Sequence, residues 1–161
     1  MISKKVLLVG SFGVGKTSLI RRFVLNEFSE DYISTIGVRV SAKIVSIEKE
    51  EIKLLIWDIA GTYGEEKIPK SYFLGASAAM FVFDVSREET YIDIENQLNT
   101  VKNISGLKNI TIVGNKKDLI SEVELAEIIK NIPITIDLIT SAKENDNVED
   151  AFIKLTQQSL N

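Results

Sequence analysis

The chain has 161 residues, 45% of them hydrophobic, and a formal net charge of −4 at pH 7. This length fits one domain over residues 1–161, and the charge leaves no basic surface of the kind that binds nucleic acid. The sequence contains no Cys or His, which excludes disulfides, thiolate chemistry and an imidazole base. Because it shows no signal peptide and no apolar stretch long enough to cross a membrane, it predicts a cytoplasmic protein.

Residues 10–17 read G-S-F-G-V-G-K-T and fit the phosphate-binding pattern G-x-x-x-x-G-K-[ST] at every fixed position. Glycines let such a loop curl until its N–H groups point inward and form an anion-binding nest. Lys16 can then reach the outer phosphates, and the Thr17 hydroxyl is placed to bind Mg²⁺. An apolar run at 4–9 and helical spacing over 18–25 predict the strand and helix that flank this motif. The predicted phosphate contacts are Gly13, Val14, Gly15, Lys16, Thr17 and Ser18.

The next segments predict a polar loop over the site and then a hairpin. Residues 26–37 form the loop, and strands at 38–47 and 52–57 are joined by the charged turn 48–50. Asp58 follows the second strand, where an acidic side chain beside a phosphate loop can hold a metal-bound water. Gly61 lets a backbone N–H approach a terminal phosphate. A simple Asp-initiated turn is the alternative interpretation of this stretch.

The remaining pattern alternates strands with helices. Residues 62–75 indicate a mobile loop with a short helix, and a helix over 88–103 is predicted to turn Ile92, Ile94, Leu98 and Val101 inward. Ser121 is a suitable N-cap. The predicted later elements are strands at 78–85, 109–113 and 134–139 and helices at 122–131 and 148–159. We therefore expect an α/β fold, a doubly wound, mostly parallel six-stranded sheet with helices on both faces and one antiparallel edge strand.

Motifs in a fixed order give the chain a family resemblance. G-S-F-G-V-G-K-T is followed by S-T-I-G-V at 34–38, W-D-I-A-G at 57–61, N-K-K-D at 115–118 and T-S-A-K at 140–143. With them the chain resembles Ras-superfamily small GTPases over essentially its whole length, nearest to the Rab-like branch. The resemblance implies a molecular switch that binds GTP or GDP with Mg²⁺ and hydrolyses GTP.

The resemblance also assigns roles at the phosphate end of the site. It implies that Thr35 closes onto Mg²⁺ and the γ-phosphate, that Asp58 holds Mg²⁺ through water, and that the Gly61 N–H senses the γ-phosphate. Thr17, Thr35 and Asp58 are then the metal site. Loss of the γ-phosphate releases both loops, which is an order–disorder switch.

At the base, the resemblance places Asp118 opposite guanine, since its two carboxylate oxygens can accept from the ring N–H and the exocyclic amine. It implies that Asn115 braces the loops, that the Lys116 stem packs on the base, and that the Ala142 N–H meets the guanine oxygen. Phe28 resembles the aromatic residue that packs edge-on to the base, although a core-facing Phe is as compatible with the composition. Ser141 and Lys143 complete the predicted contacts.

Two departures from the family pattern concern catalysis. Thr62 stands where the family has a catalytic Gln, and it is too short to orient the attacking water easily. Phe12 stands where a small residue is usual, beside the γ-phosphate. The predicted catalytic residues are Lys16, Thr35, Gly61 and Thr62. Because of the two departures we expect GTP hydrolysis to be slow, and the direction of the Phe12 ring is left open. Tyr63, Glu65 or Glu66 are alternative water-orienting groups.

Partner predictions follow the same resemblance. Effectors and regulators are expected on residues 28–40 and 60–75, with Val40, Trp57 and Tyr72 as the apolar triad. Because Val40 replaces an aromatic residue, effector identity does not transfer. The last residues contain no Cys, so we expect no lipid anchor on this chain, and we expect a monomer. A GTP-loaded scaffold without turnover is the alternative function, and a phosphotransferase is disfavoured because no arginine-rich lid is visible.

Overall fold

The structure is a computed structural model that describes residues 1–31, 35–61 and 68–161. Within these residues six strands form one sheet and four α-helices pack against it. The strands are β1 (Ile2–Val9), β2 (Val38–Ile47), β3 (Glu50–Ile59), β4 (Ala78–Asp84), β5 (Thr111–Asn115) and β6 (Leu138–Ile139). The helices are α1 (Lys16–Leu25), α2 (Ile94–Ser105), α3 (Glu122–Asn131) and α4 (Val148–Ser159), and short 3₁₀ turns span Lys70–Tyr72, Glu88–Thr90 and Lys117–Leu119.

The sheet order is β2-β3-β1-β4-β5-β6. Its neighbouring strands are parallel except for β2 and β3, which form the antiparallel edge hairpin. The predicted fold class is therefore confirmed. Since β1, β3, β4 and β5 are parallel, their carboxyl ends meet at one edge, and the segments that follow them converge there.

Alternation along β1 divides the core between the two faces of the sheet. Val6 and Leu8 point to the face covered by α1 and α4, where the Phe23 and Phe152 rings stack with centroids 4.1 Å apart. Leu7 points to the opposite face, which α2 and α3 cover. In the described part of the chain, no helix is long and apolar enough to span a membrane.

The predicted helix over 88–103 is wrong at its start, because the chain makes a 3₁₀ turn at Glu88–Thr90 before α2 begins at Ile94. The buried Thr90 hydroxyl holds this turn: it accepts from the Asp84 N–H at 2.9 Å and lies 2.7 Å from the Arg87 carbonyl, to which it donates. Ile92, predicted to face inward, is 71% exposed. Ile94, Leu98 and Val101 are buried as predicted.

The predicted strand over 134–139 is also shorter than expected, since only Leu138–Ile139 pairs as β6. Asp137 explains this. Its N–H donates to the Ile112 carbonyl at 2.9 Å, but its own carboxylate accepts from the Ile112 N–H at 2.7 Å and takes the place of a backbone carbonyl. The Ser121 N-cap is confirmed, with its hydroxyl accepting from the Glu124 N–H at 3.2 Å.

The break before α2 gives a direct stability test. Leu98→Ala should lower the free energy of unfolding by about 2–4 kcal/mol because it leaves a cavity in the core. Ile92→Ala should change it by less than about 0.5 kcal/mol because this side chain is exposed. Urea unfolding under identical solution conditions measures both, and equal losses would contradict the observed start of α2.

Candidate functional site

A cavity of about 280 Å³ opens at the carboxyl edge of the sheet. It brings together residues from all the predicted motifs: Gly13, Gly15, Lys16, Thr17, Ser18, Phe28, Thr35, Asp58, Gly61, Asn115, Lys116, Asp118, Ala142 and Lys143 line it, together with Phe12. Val14 and Ser141 are fully buried and lie outside this lining. Thr62, Tyr63, Glu65 and Glu66 lie outside the described residues.

The phosphate loop follows β1 and is held tightly against its neighbours. A Cβ at Gly10 would lie 2.1 Å from the Val82 carbonyl oxygen, and Gly10 has a φ of +143°. On the cavity side, a Cβ at Gly61 would lie 2.3 Å from the Phe12 backbone nitrogen. Both positions therefore require glycine, and the segment after β3 presses its backbone onto the loop.

Lys16 begins α1 and is buried beneath this loop. Its ammonium donates to the carbonyls of Gly10 at 2.9 Å and Ser11 at 3.1 Å. Burial lowers the pKa of Lys16 to about 8, against the attraction of Asp58, which raises it. A dehydrated cation of this kind gains from an anionic ligand, because the ligand replaces the lost hydration.

The three predicted metal ligands come together below the loop. The Thr17 hydroxyl oxygen lies 2.7 Å from that of Thr35 and donates to Asp58 Oδ2 at 2.5 Å. The Thr35 hydroxyl donates to the same oxygen at 3.3 Å. Burial raises the pKa of Asp58, with the Thr17 hydrogen bond opposing the shift. Asp58 Oδ1 is buried and has no hydrogen-bond partner within residues 1–31, 35–61 and 68–161.

This donor set fits Mg²⁺. It consists of one carboxylate and two hydroxyls, and no group of three or more His, Cys, Asp or Glu side chains that could hold a metal is found among residues 1–31, 35–61 and 68–161. Mg²⁺ prefers oxygen ligands, retains waters and is commonly shared between one or two carboxylates and substrate phosphates. The buried Asp58 Oδ1, which has no partner in the part of the chain that the structure describes, could accept a hydrogen bond from the hydration shell of such an ion.

The base side of the cavity is built by loops after β5 and β6. The Ser141 hydroxyl donates to Asp118 Oδ1 at 2.7 Å and so fixes the carboxylate. Asn115 links the loops by donating to the Val14 carbonyl at 3.0 Å and accepting from the Thr140 hydroxyl at 3.0 Å. The Ala142 N–H, which the resemblance assigns to guanine, donates here to Asn115 Oδ1 at 3.3 Å.

The entrance on this side is flanked by Phe28 and by a salt bridge. Phe28 both lines the cavity and packs against the core beside α1, and its contact with a base stays a prediction. Lys143 Nζ lies 2.6 Å from Glu30 Oε1, and both side chains are largely exposed. This ion pair connects the first loop to the base-side loop.

Several residues that shape the site were missed by the sequence prediction. Arg22 on α1 donates to the carbonyls of Ala142 and Lys143, each at 2.9 Å. Asp84, fully buried at the end of β4, lies 3.0 Å from Lys116 Nζ. Arg87 donates to the Phe12 carbonyl. Of these residues, only Asp84 could have been found from the sequence, because it ends a strand at the same sheet edge as Asp58.

Comparison with known proteins identifies the family. The model of the Ras family matches residues 5–161. The chain is 36% identical over 163 residues to Ras-related protein Rab-4A of Danio rerio, covering 98% of this chain and 76% of the relative. It is 35% identical over 162 residues to Rab-4B of Homo sapiens, with the same coverage, and 35% identical over 163 residues to Rab-4A of Bos taurus, covering 98% and 74%. The chain therefore belongs to the Ras family and is a Rab-like small GTPase.

Proposed function

We propose that this chain is a single-domain guanine-nucleotide switch that uses Mg²⁺ and hydrolyses GTP slowly. The observation that carries this proposal is one cavity containing the phosphate loop, the oxygen cluster of Thr17, Thr35 and Asp58, and the Ser141-fixed carboxylate of Asp118. A polyphosphate, its metal ion and a purine base need these groups in the same cavity. The comparisons support the GTPase class.

The phosphate loop and Lys16 would hold the phosphates. Loop N–H groups and the start of α1 offer partial positive charge, and the buried Lys16 adds a full charge. Lys16 now donates to the loop carbonyls of Gly10 and Ser11. A bound phosphate would offer its ammonium a stronger, charged acceptor.

Thr17, Thr35 and, through water, Asp58 would hold Mg²⁺. When bound, the ion neutralises charge on phosphate oxygens. The residues themselves supply the switch. Thr35 lies before β2 and Gly61 lies after β3, and the Ala60 N–H donates to the Gly37 carbonyl at 2.9 Å, which ties the two loops together. A γ-phosphate that contacts both Thr35 and Gly61 would therefore bias both loops at once.

Asp118 would select guanine. Its carboxylate accepts from two neighbouring donors on guanine, and adenine does not present that pair. The hydrogen bond from Ser141 uses part of the capacity of Oδ1 and fixes the plane of the carboxylate. Selection therefore depends on a side chain that is oriented before the base arrives, which lowers the entropic cost of binding.

Slow hydrolysis follows from Thr62 and Phe12. A Thr hydroxyl is shorter than a Gln carboxamide, which can accept from the attacking water and donate to the transition state. Phe12 lines the cavity, and its backbone lies against Gly61. A side chain at this place would occupy space that an activating arginine from a partner would otherwise enter.

An apolar surface on the edge hairpin is the proposed partner site. Val40 is paired with Trp57 across the β2/β3 hairpin, and the Trp57 and Tyr72 rings lie 6.5 Å apart. Val40 is 50% exposed and Ile36 is 91% exposed. Because both lie next to the proposed switch loops, effectors and regulators on residues 28–40 and 60–75 would read the nucleotide state of a monomer.

The hydrolysis proposal predicts single-turnover kinetics. GTP loaded on the wild-type chain should be hydrolysed more slowly than the about 4 × 10⁻⁴ s⁻¹ of an ordinary small GTPase, and Thr62→Gln should raise the rate about tenfold. Thr62→Ser, which keeps a short hydroxyl, is the matched control and should change nothing. An ordinary wild-type rate with no gain from Thr62→Gln would refute the proposal, whereas GTP retained on purified protein without turnover would support the scaffold alternative.

The metal proposal predicts how nucleotide release depends on Mg²⁺. Chelation with EDTA should speed GDP dissociation at least about tenfold, because phosphate charge and the Asp58 carboxylate then lose their shared counter-ion. Asp58→Asn should raise the Mg²⁺ concentration that slows release. Asp150→Asn, at an exposed position on α4, should not, and an unchanged Mg²⁺ dependence in Asp58→Asn would remove Asp58 from the site.

The base proposal predicts a change of specificity. Asp118→Asn should weaken GDP binding by roughly tenfold to a hundredfold, since a hydrogen bond between the carboxylate and the exocyclic amine is lost. The same variant should gain affinity for xanthosine diphosphate, whose carbonyl accepts from the new amide. Competition assays measure both nucleotides, with Glu122→Gln on the exposed start of α3 as control. Retained guanine preference in Asp118→Asn would place the base elsewhere.

A further inference from the structure

Side chains from outside the phosphate loop hold its carbonyls. The Phe12 carbonyl accepts from Arg87 Nη1 at 3.1 Å and Nη2 at 3.2 Å, the Gly13 carbonyl from Lys116 Nζ at 2.7 Å, and the Val14 carbonyl from Asn115 Nδ2 at 3.0 Å. In a trans peptide the C=O and the following N–H point in opposite directions. Each carbonyl bond therefore also fixes the direction of the next N–H in the loop.

Lys116 and Asn115 belong to the N-K-K-D motif, but Arg87 belongs to none of the motifs. It precedes the 3₁₀ turn after β4, where its N–H donates to the Asp84 carbonyl at 3.1 Å and its own carbonyl accepts from the Thr90 hydroxyl at 2.7 Å. Its Nε donates to Glu89 Oε1 at 3.0 Å. The guanidinium is thus held in place while both Nη groups face the Phe12 carbonyl.

Asp84 links Arg87 to the base-side loop. Its carboxylate is fully buried, with Oδ1 accepting from the Ser86 N–H at 2.9 Å and the Ser86 hydroxyl at 2.6 Å. Oδ2 lies 3.0 Å from Lys116 Nζ and 3.9 Å from Arg87 Nη1. One buried charge therefore faces both cations that hold neighbouring peptides of the phosphate loop.

We propose that Arg87 is a positioning residue for the nucleotide, which fixes the peptide between Phe12 and Gly13 and thereby favours GTP over GDP. This inference rests on the proposed function. The Phe12 backbone lies against Gly61, whose N–H is proposed to sense the γ-phosphate, so this peptide lies at the γ-phosphate end of the loop. Arg87 is not among the described residues that line the cavity, and it acts through the Phe12 carbonyl.

The test compares the affinities of Arg87 variants for a non-hydrolysable GTP analogue and for GDP, both with Mg²⁺. Arg87→Met keeps the length of the side chain but removes its donors, and should weaken analogue binding about tenfold, equivalent to about 1.4 kcal/mol, and GDP binding less than about threefold. Arg87→Lys, which retains one cationic donor, should restore part of the difference. Glu88→Gln removes an exposed charge from the same 3₁₀ turn and should leave the ratio of affinities unchanged.

A spectroscopic measurement separates positioning from general destabilisation. In the analogue-bound protein, the amide ¹H–¹⁵N resonance of Gly13 should shift in Arg87→Met and move back in Arg87→Lys. If Arg87→Met weakens the binding of both nucleotides equally, the inference is overturned, even if this variant also lowers Tm. An unchanged ratio of the two affinities together with an unmoved Gly13 resonance would overturn it as well. Failure of the wild-type chain to bind either nucleotide would instead refute the proposed function.

Discussion

The candidate site depends on the close packing of the phosphate loop between β4 and the segment after β3. On one side the loop has no room for a Cβ at Gly10, because the Val82 carbonyl lies in that space. On the other side, a Cβ at Gly61 would overlap the Phe12 backbone in the same way. Protein interiors are close-packed, so a displacement of Gly61 toward Phe12 must also displace the phosphate loop.

Buried charge is the second constraint on this structure. Lys16, Asp58 and Asp84 are all buried, and each would be costly if it lacked a charged or hydrogen-bonded partner. Asp84 is paired with Lys116 and hydrogen-bonded by Ser86. Burial lowers the pKa of Lys16, whose ammonium is held by two loop carbonyls, and Asp58 Oδ1 has no hydrogen-bond partner among the described residues. Lys16 and Asp58 are among the groups proposed to meet phosphate and metal.

The proposed site combines residues that match the family's binding motifs with two departures at positions proposed for catalysis. The residues proposed to bind phosphate, metal and base line one cavity, whereas Thr62 and Phe12 depart from the family pattern at positions proposed to lie near the γ-phosphate. A nucleotide switch needs tight, state-dependent binding, and its timing can be set by exchange as well as by hydrolysis. Matching binding motifs beside altered positions proposed for catalysis support the proposal of a switch with a long lifetime in the GTP state.

Much of the fold and site could be predicted from the sequence, because local patterns carry the relevant physics. Short apolar runs located most strands, the glycine spacing defined the phosphate loop, and the order of motifs after strands placed Thr17, Asp58 and Asp118 at one sheet edge. The helix before Ile94 and the strand before Leu138 were predicted wrongly. In both places a side chain, Thr90 or Asp137, takes the place of a backbone group in a hydrogen bond. The periodicity of apolar residues does not reveal such bonds.

The sequence by itself therefore determined the class of the sheet, the phosphate loop and the family, since these depend on spacing along the chain. Only the tertiary structure showed which distant groups hold the loop carbonyls. Arg87 reaches Phe12 across 75 positions and Asn115 reaches Val14 across 101. These contacts are decided by how β1, β4 and β5 lie side by side, because strand neighbours in a doubly wound sheet are not neighbours in sequence.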